Sequence, residues 1–284
     1  MKKFLKFILL VFLYSLIFVI ANAAMPFSKG FKDLRTSEDT ITILFMLINN
    51  VWTCLTLYFI ISRSYIKGIK LVICAAGVVF FVQTFMTQIE TLFFGNAFIL
   101  TKFDIILIML AGLLPMLIVT PLAVKLFQRK ETEITTITPF GITSCMLKKI
   151  LLIGIIYLAI YMIFGYFVAW QFKDLRVFYT DSAVKLSFFA QLANNMKTNP
   201  VIYPFQVFRG ALFALATLPL LHFMKTKKDF IISVCLVYLC AAMILIIPNV
   251  LFPDTVRMAH FYEMASSMLL FGLISGNLLW ERTS

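Results

Sequence analysis

Three residues with chemically reactive side chains lie close together near the carboxyl terminus, in a segment that is otherwise apolar. Arg257, His260 and Glu263 are three residues apart in the stretch RMAHFYEMASSMLLFG, and Ser267 follows Glu263 by four. These spacings put the side chains on one face of an α-helix. Imidazole and carboxyl groups can exchange protons or bind a metal ion, and a guanidinium can bind a phosphate or carboxylate. The stripe is therefore a candidate wall of a binding or catalytic site.

The composition identifies the chain as a membrane protein. Of its 284 residues, 62% are hydrophobic and 13% are charged, whereas about a quarter of the residues of a soluble domain are charged. Apolar stretches long enough to cross about 30 Å of hydrocarbon recur along the chain. The eight predicted spans are 4–25, 41–62, 70–94, 104–127, 147–171, 201–224, 229–252 and 254–280. With no period-two pattern of a membrane barrel, the sequence predicts an all-α, polytopic transmembrane helical bundle that forms one domain over 1–284.

Positive charge predicts the orientation of this bundle, because basic loops are retained in the cytoplasm. Most of the 25 Lys and Arg residues adjoin the spans on one side. They are Lys2, Lys3, Lys6, Arg63, Lys67, Lys70, Lys125, Arg129, Lys130, Lys148, Lys149, Lys225, Lys227, Lys228 and Arg282. Both termini are then cytoplasmic, and the protein is expected in the cell inner (plasma) membrane. The net charge of +12 is mostly this topology signal, and without a recognition module around the basic clusters we expect no nucleic-acid partner.

The first span has a second interpretation. Basic residues, an apolar run and the small residues ANAA at 21–24 also fit a secretory signal peptide cleaved after residue 23. The apolar run is nevertheless as long as a full membrane crossing. Cleavage would leave seven spans and would invert none of them.

The longest connection predicted on the external side covers residues 172–200. Within it, apolar residues between Ala183 and Ala193 recur at helical spacing beside Lys185 and several amides. This pattern is typical of a helix that lies on the membrane surface. Two roles are open: a structural strut, or a lid over a site that faces outward.

Polar residues inside four of the predicted spans share one depth, and Asn249, near the external end of span seven, adds a fifth span. Counted at 1.5 Å per helical residue, those of spans two, three, six and eight lie about 6 to 16 Å from the external end. The candidate cavity residues are Asn49, Asn50, Gln83, Glu90, Arg209, Arg257, His260, Glu263 and Ser267. Since an ionisable side chain that faces lipid costs several kcal/mol, the sequence predicts a polar cavity in the outer half of the bundle. A structural alternative is that Arg209 pairs with Glu90 or Glu263 and only braces the helices.

The same residues suggest several kinds of chemistry. His260, Glu263 and Glu90 are candidate ligands for one divalent metal ion, although a nearby Arg209 would oppose a cation. Haem held by two histidines is disfavoured, because His222 lies near the cytoplasmic end of span six, at a different depth from His260. No P-loop, zinc-protease, nucleophile-elbow or dinucleotide-binding motif occurs. We therefore predict no cofactor other than an optional divalent metal.

These observations favour a multi-pass, permease-like membrane protein. Its outward cavity would bind a small polar or anionic solute or a lipid headgroup, with proton coupling through Glu90, His260 and Glu263 as one option. One alternative is a membrane-embedded enzyme that acts on a lipid-borne substrate by His/Glu acid–base or metal chemistry. A second alternative is a non-catalytic subunit whose polar residues bind a partner membrane protein. Lipid is a partner in each case.

Overall fold

The chain folds into helices, as the sequence predicts. A computed structural model describes residues 2–34, 40–95, 100–129 and 143–280, and in these residues it contains twelve α-helices and no strand. The helices are α1 (Lys2–Ala24), α2 (Lys29–Leu34), α3 (Thr40–Arg63), α4 (Gly68–Phe80), α5 (Met86–Phe93), α6 (Lys102–Phe127), α7 (Ser144–Phe167), α8 (Lys173–Thr180), α9 (Phe188–Thr198), α10 (Ile202–Thr217), α11 (Lys227–Met243) and α12 (Asp254–Leu279). A π-helical turn, Phe81–Phe85, joins α4 to α5. The all-α class is therefore confirmed.

Seven helical stretches in the described residues are long and apolar enough to cross a membrane. They are Lys3–Ala24, Thr40–Arg63, Gly68–Phe93, Lys102–Phe127, Ser144–Gln171, Ile202–His222 and Lys227–Ile246. The eighth predicted span corresponds to α12, which has 26 residues and is therefore about 39 Å long. It is not among the seven, because polar residues interrupt its apolar sequence. The chain is thus a membrane protein with seven candidate spans, and the eighth span and the orientation remain predictions.

The connections between the long helices gather at two ends of the bundle. The basic end contains the described connections 64–67, 128–129 and 223–226, and the opposite end, here called the cavity end, contains 25–34, 168–201 and 247–253. At the basic end, Ser64 and Met224 form an isolated antiparallel bridge, and Lys149 donates to the carbonyl of Leu278 at 3.0 Å. These contacts hold together connections that are distant in sequence.

At the cavity end, a buried carboxylate anchors the segment after α1. Asp104, in the first turn of α6, accepts hydrogen bonds from the backbone N–H and the hydroxyl of Ser28, both at 2.8 Å. It also accepts from the backbone N–H of Thr101 at 3.1 Å, while the hydroxyl oxygen of Thr101 accepts from the backbone N–H of Asp104 at 3.1 Å. This reciprocal arrangement is a capping box. It holds Phe27 and Phe31 against α6, where they form one wall of the cavity described below.

Small residues allow two helix pairs to approach closely. A Cβ atom at Gly272 would lie 3.0 Å from the Cα of Cys235, and one at Gly276 would lie 3.1 Å from the Cα of Ile231. Gly272 and Gly276 thus form a small-residue face on α12 that allows α11 to approach closely. The contact between α7 and α10 is closer still, because a Cβ at Gly210 would lie 2.4 Å from the Cβ of Tyr157.

The long connection over residues 172–200 contains two α-helices where the sequence predicts one. The predicted helix begins later than its apolar spacing indicates: residues 183–187 are not helical, and α9 runs from Phe188 to Thr198. No residue of α9 is buried, and Phe189 is 79% exposed. The second helix, α8, was not predicted, and it packs against α12. The surface role of α9 remains a prediction.

Candidate functional site

One large cavity lies at the cavity end of the bundle. Its volume is about 1150 Å³, which is large enough for an organic molecule of drug size. Of the candidate residues from the sequence, Gln83, Glu90, His260 and Glu263 line it. They come from the π-helical turn, α5 and α12, and each of the other helices, α4 excepted, also contributes residues to the wall. The structure thus brings four of the nine candidates to one space.

Arg209 of α10 is paired with Glu90 of α5 behind the cavity wall. Its two terminal nitrogens donate to the two carboxylate oxygens of Glu90 at 2.7 and 2.8 Å. One of them also donates to the amide oxygen of Gln206 at 3.0 Å, one helical turn away on α10. Arg209 is 1% exposed. A bidentate guanidinium–carboxylate pair of this kind is strong and directional, so Arg209 acts as a brace between α5 and α10.

Aromatic rings complete the surroundings of this brace. The guanidinium carbon of Arg209 lies 5.8 Å from the ring centres of Tyr157 and Phe205 and 6.0 Å from that of Phe213. Phe205 also stacks on Phe93 of α5 at 3.8 Å between ring centres. Cation–π contacts of this type stabilise a desolvated arginine. An anionic solute would have to displace Glu90 before it could bind Arg209.

The predicted Asn49 and Asn50 form a buried network that orients Gln83. The amide nitrogen of Gln83 donates to the side-chain oxygens of Asn49 at 3.2 Å and Thr53 at 2.9 Å. Asn49 then donates to Asn50 at 3.2 Å, and Asn50 donates to Ser15 of α1 at 3.1 Å. In this network Gln83 uses only its nitrogen, as a donor. Its amide oxygen is buried and accepts no hydrogen bond. A buried amide oxygen in this state costs free energy.

The π-helical turn changes the direction of the side chains around Gln83. Thr84, the next residue, packs against Gly112 of α6, where a Cβ atom would lie 2.6 Å from its hydroxyl oxygen. Gly112 therefore leaves the space that Thr84 occupies. Single π-helical turns inside longer helices are frequent at functional sites. Here the turn directs Gln83 towards α3, while Thr84 faces α6, and both side chains line the cavity.

Glu263 is the carboxyl group of the cavity that has no positively charged partner. It is 5% exposed, and Ser267 donates to it at 3.4 Å, as the predicted stripe on α12 requires. No Lys or Arg pairs with it in the part of the chain that the structure describes. A buried carboxylate needs a counter-charge, a proton or several hydrogen-bond donors. Glu263 is therefore the group of this cavity that is best placed to bind a ligand.

His260 lies one turn before Glu263 and contacts the cover formed by α8. Its Nε2 atom lies 2.9 Å from the hydroxyl oxygen of Tyr179, so the two groups share a hydrogen bond. Phe252 packs on the imidazole with 5.5 Å between ring centres. Burial raises the pKa of Tyr179 well above its usual value, so the hydroxyl stays neutral at physiological pH. Sequence reasoning missed Tyr179 because its helix, α8, has only eight residues.

Arg257 does not belong to the cavity, although it shares a helical face with His260. Its guanidinium donates to the carbonyl oxygens of Leu245 at 3.0 Å and Ile246 at 2.6 Å, and it pairs with Asp254 at 2.8 Å. The carbonyls at the end of a helix need donors from outside that helix, and Arg257 supplies them where α11 ends. The assignment of Arg257 to the cavity is thus corrected to a structural contact.

A second arginine that the sequence analysis did not identify holds the cover in place. Arg176 of α8 is 8% exposed and donates to the carbonyl oxygens of Trp170 at 2.7 Å, Gln171 at 3.1 Å and Ala183 at 3.0 Å. These bonds tie both ends of α8 to the same guanidinium. They fix the position of Tyr179 over His260.

The candidate metal ligands do not form a recognisable metal centre. Within the described residues, no group of three His, Cys, Asp or Glu side chains is arranged to hold one ion. His260, Glu263 and Glu90 all line the cavity, but Glu90 is held by Arg209. The arrangement gives no support to a metal-dependent reaction at these residues.

Comparison of the chain with protein families, with curated proteins and with solved structures finds no match in any of the three. The function therefore has to be argued from the side chains of the cavity.

Proposed function

We propose that this chain is a permease-like membrane protein that binds a small polar solute in the cavity, with Glu263 as its principal binding group. The observation that carries the proposal is a cavity of about 1150 Å³ that contains a buried carboxyl group, that of Glu263, with no cationic partner among the described residues. Ionisable groups inside a membrane bundle are costly and are usually retained for a function. His260 and Glu263 are also groups through which proton movement could be coupled to transport.

The proposal includes a topology. With α12 as an eighth span, both termini lie on the cytoplasmic side of the inner membrane, and the cavity end faces outward. The contacts of α12 with α7 and α11, both candidate spans, support its inclusion in the membrane bundle. The basic residues at the opposite end support the orientation. Cysteine accessibility at the two ends of the bundle tests this directly.

Replacement of Glu263 by Gln is expected to abolish solute-dependent transport while the protein remains folded. Gln keeps the size of the side chain but cannot carry a negative charge or exchange a proton. Wild-type protein in liposomes that contain a pH-sensitive dye would be given amino acids, amines, sugars and carboxylates in turn. We expect at least one class to change the internal pH, and the rate to fall about tenfold or more in Glu263→Gln.

Asp174→Asn is the matched control, because Asp174 is an exposed carboxylate of α8 outside the cavity wall. Its response should equal that of wild type. Equal rates in wild type and Glu263→Gln would remove Glu263 from the mechanism. Signals no larger than those of empty liposomes for every solute class would contradict the carrier proposal.

A second candidate function is an enzyme that acts on a lipid-borne substrate. The hydrogen-bonded pair His260–Tyr179 favours it, because a histidine held by a neutral hydroxyl beside a carboxyl group can act as a general acid or base. The partner-subunit alternative receives less support, because Gln83, Glu90 and Glu263 line a cavity within this chain and do not need a partner helix.

The enzyme candidate predicts that His260→Ala stops turnover without loss of binding. Extracted membrane lipids would be incubated with purified protein, and mass spectrometry would follow any product that wild type forms. Acid–base catalysis by one group contributes about 10²–10⁴-fold to a rate, so the product should disappear. Tyr179→Phe, which removes the hydroxyl but not the ring, should retain part of the activity. A product formed equally by His260→Ala would exclude this role.

A further inference from the structure

We infer that the ligand of the cavity is an amphipathic amine: its ammonium group pairs with Glu263, and its apolar part lies against aromatic side chains. This inference rests on the proposed function, since it assigns a chemical class to the solute of the same site. It departs from the anionic solute that the arginines of the sequence suggested.

The charges of the cavity wall favour a cation. Among the described residues that line the cavity, there is no Lys or Arg, and the carboxyl groups are Glu90 and Glu263. Arg209 neutralises Glu90 from behind the wall. One carboxyl group, that of Glu263, is therefore left for a charge that the ligand brings. A positively charged group on the ligand would pair with Glu263, and no further charged side chain of the protein would have to be buried.

Three buried polar side-chain atoms of the described cavity residues have no hydrogen-bond partner, and two of the three are acceptors. The acceptors are the side-chain oxygens of Gln83 and Gln88, and the third atom is the Nε1 donor of Trp170. The two acceptors favour a ligand that carries a hydrogen-bond donor. The amide nitrogen of Gln83 donates to Asn49 and Thr53, which leaves its oxygen as the atom without a partner. An ammonium group has two or three N–H donors, whereas a carboxylate or phosphate would add acceptors to a site that already has too many.

The remaining wall favours an apolar or aromatic body. Tyr161 and Tyr179 line the cavity together with Glu90 and Glu263, and tyrosine rings can contact a cation directly. Val19 and Ala23 of α1 also line the cavity and add apolar surface.

Three probes with the same carbon skeleton separate charge from hydrophobicity. They are 4-phenylbutylamine, 4-phenylbutanol and 4-phenylbutyrate, titrated by calorimetry into the full-length protein in phosphatidylcholine nanodiscs, with empty nanodiscs as blanks. We expect the amine to bind about tenfold or more tightly than the alcohol, because a desolvated ion pair is formed. The carboxylate should show no binding above the blank.

Variants at one position make the assignment specific. Glu263→Gln should lower the affinity for the amine about tenfold or more and leave that for the alcohol unchanged. Glu263→Asp keeps the carboxyl group and should recover part of the loss, which a merely structural role of Glu263 would not produce. Asp174→Asn should bind all three probes as wild type does.

Two results would overturn the inference. Tightest binding of 4-phenylbutyrate, or equal binding of amine and alcohol, would show that the cavity does not select a cation, although a solute cavity would remain. Binding of none of the probes above the blank would also overturn the amine assignment. The transport panel with amino acids, sugars and carboxylates then decides separately whether the carrier proposal survives.

Discussion

Glu90→Ala is expected to destabilise the protein by about 3–5 kcal/mol, because it leaves a buried guanidinium without its carboxylate. Arg209 is 1% exposed, and its bonds to Glu90 are 2.7 and 2.8 Å long. Its Nε atom already lacks a hydrogen-bond partner, so Gln206 and the aromatic rings would be the remaining stabilising contacts. At about 2–4 °C per kcal/mol for a chain of this size, the midpoint of thermal unfolding should fall by at least about 6 °C.

The double variant Glu90→Leu with Arg209→Met tests the cause of this loss. A buried ion pair that is replaced by apolar groups of similar size is often neutral in stability. The double variant should therefore recover most of the loss, except for the cost of Gln206, whose oxygen would lose its donor. Thermal unfolding in detergent, followed by intrinsic fluorescence, measures all variants. A Glu90→Ala midpoint within about 1 °C of wild type would show that the pair contributes little.

The thermal unfolding of Glu263→Gln distinguishes a side chain that braces the helices from one that binds a ligand. Glu263 has no cationic partner in the described residues, so the neutral isostere removes no ion pair. We expect unchanged or increased stability, as is usual when a functional but costly group is replaced. A large loss in both variants would mean that the whole polar cluster is structural glue.

The bundle was predictable because membrane spans are determined mainly by length and composition. Each of the seven candidate spans is a helix with a largely apolar sequence, and the bilayer requires such runs to be helical. The eighth predicted span, α12, is not among these candidates. Arg257 and Glu263 lie within its first half and interrupt its apolar sequence. Hydropathy is insensitive to whether such residues face a cavity or lipid.

The membership of the cavity was predictable only in part. Shared depth and helical facing predicted one cavity, and Gln83, Glu90, His260 and Glu263 line one space in the structure. The same reasoning could not predict that Arg257 donates to carbonyl oxygens at the end of α11. Arg257 lies in the first turn of α12, where a side chain can contact the backbone of the preceding connection instead of the cavity. Nor could it assign Asn49 and Asn50 to orienting Gln83, since hydrogen-bond direction depends on contacts between helices.

The cover could not be predicted, because its signals are weak in sequence. α8 has eight residues, which is too short for a clear apolar period. Its position depends on three carbonyl oxygens that accept from Arg176, and backbone groups leave no trace in residue types. Tyr179 reaches His260 through this arrangement alone.

Gly210→Ala is the second large effect that we expect, because α7 and α10 have no space for another atom between them. A Cβ at Gly210 would lie 2.4 Å from the Cβ of Tyr157 and 2.9 Å from the Cα of Gly154. Neither neighbour can move alone, since one belongs to a buried ring and the other to the backbone of α7. Overpacking of this kind costs about 1–3 kcal/mol. Thermal unfolding of purified protein measures the loss.

Gly77→Ala is the matched control, because nothing lies within 4 Å of a Cβ at that helical position of α4. It should stabilise by up to about 1 kcal/mol, as Gly-to-Ala changes in open helix positions do. If Gly210→Ala also stabilised, the close approach of α7 and α10 would be disproved. Residue 210 adjoins Arg209 in α10. The shift of α10 that Gly210→Ala causes should therefore also lengthen the hydrogen bonds from Arg209 to Glu90. Gly210→Ala and Glu90→Ala together should therefore cost less than the sum of the two changes, since contacts that share one partner are not additive.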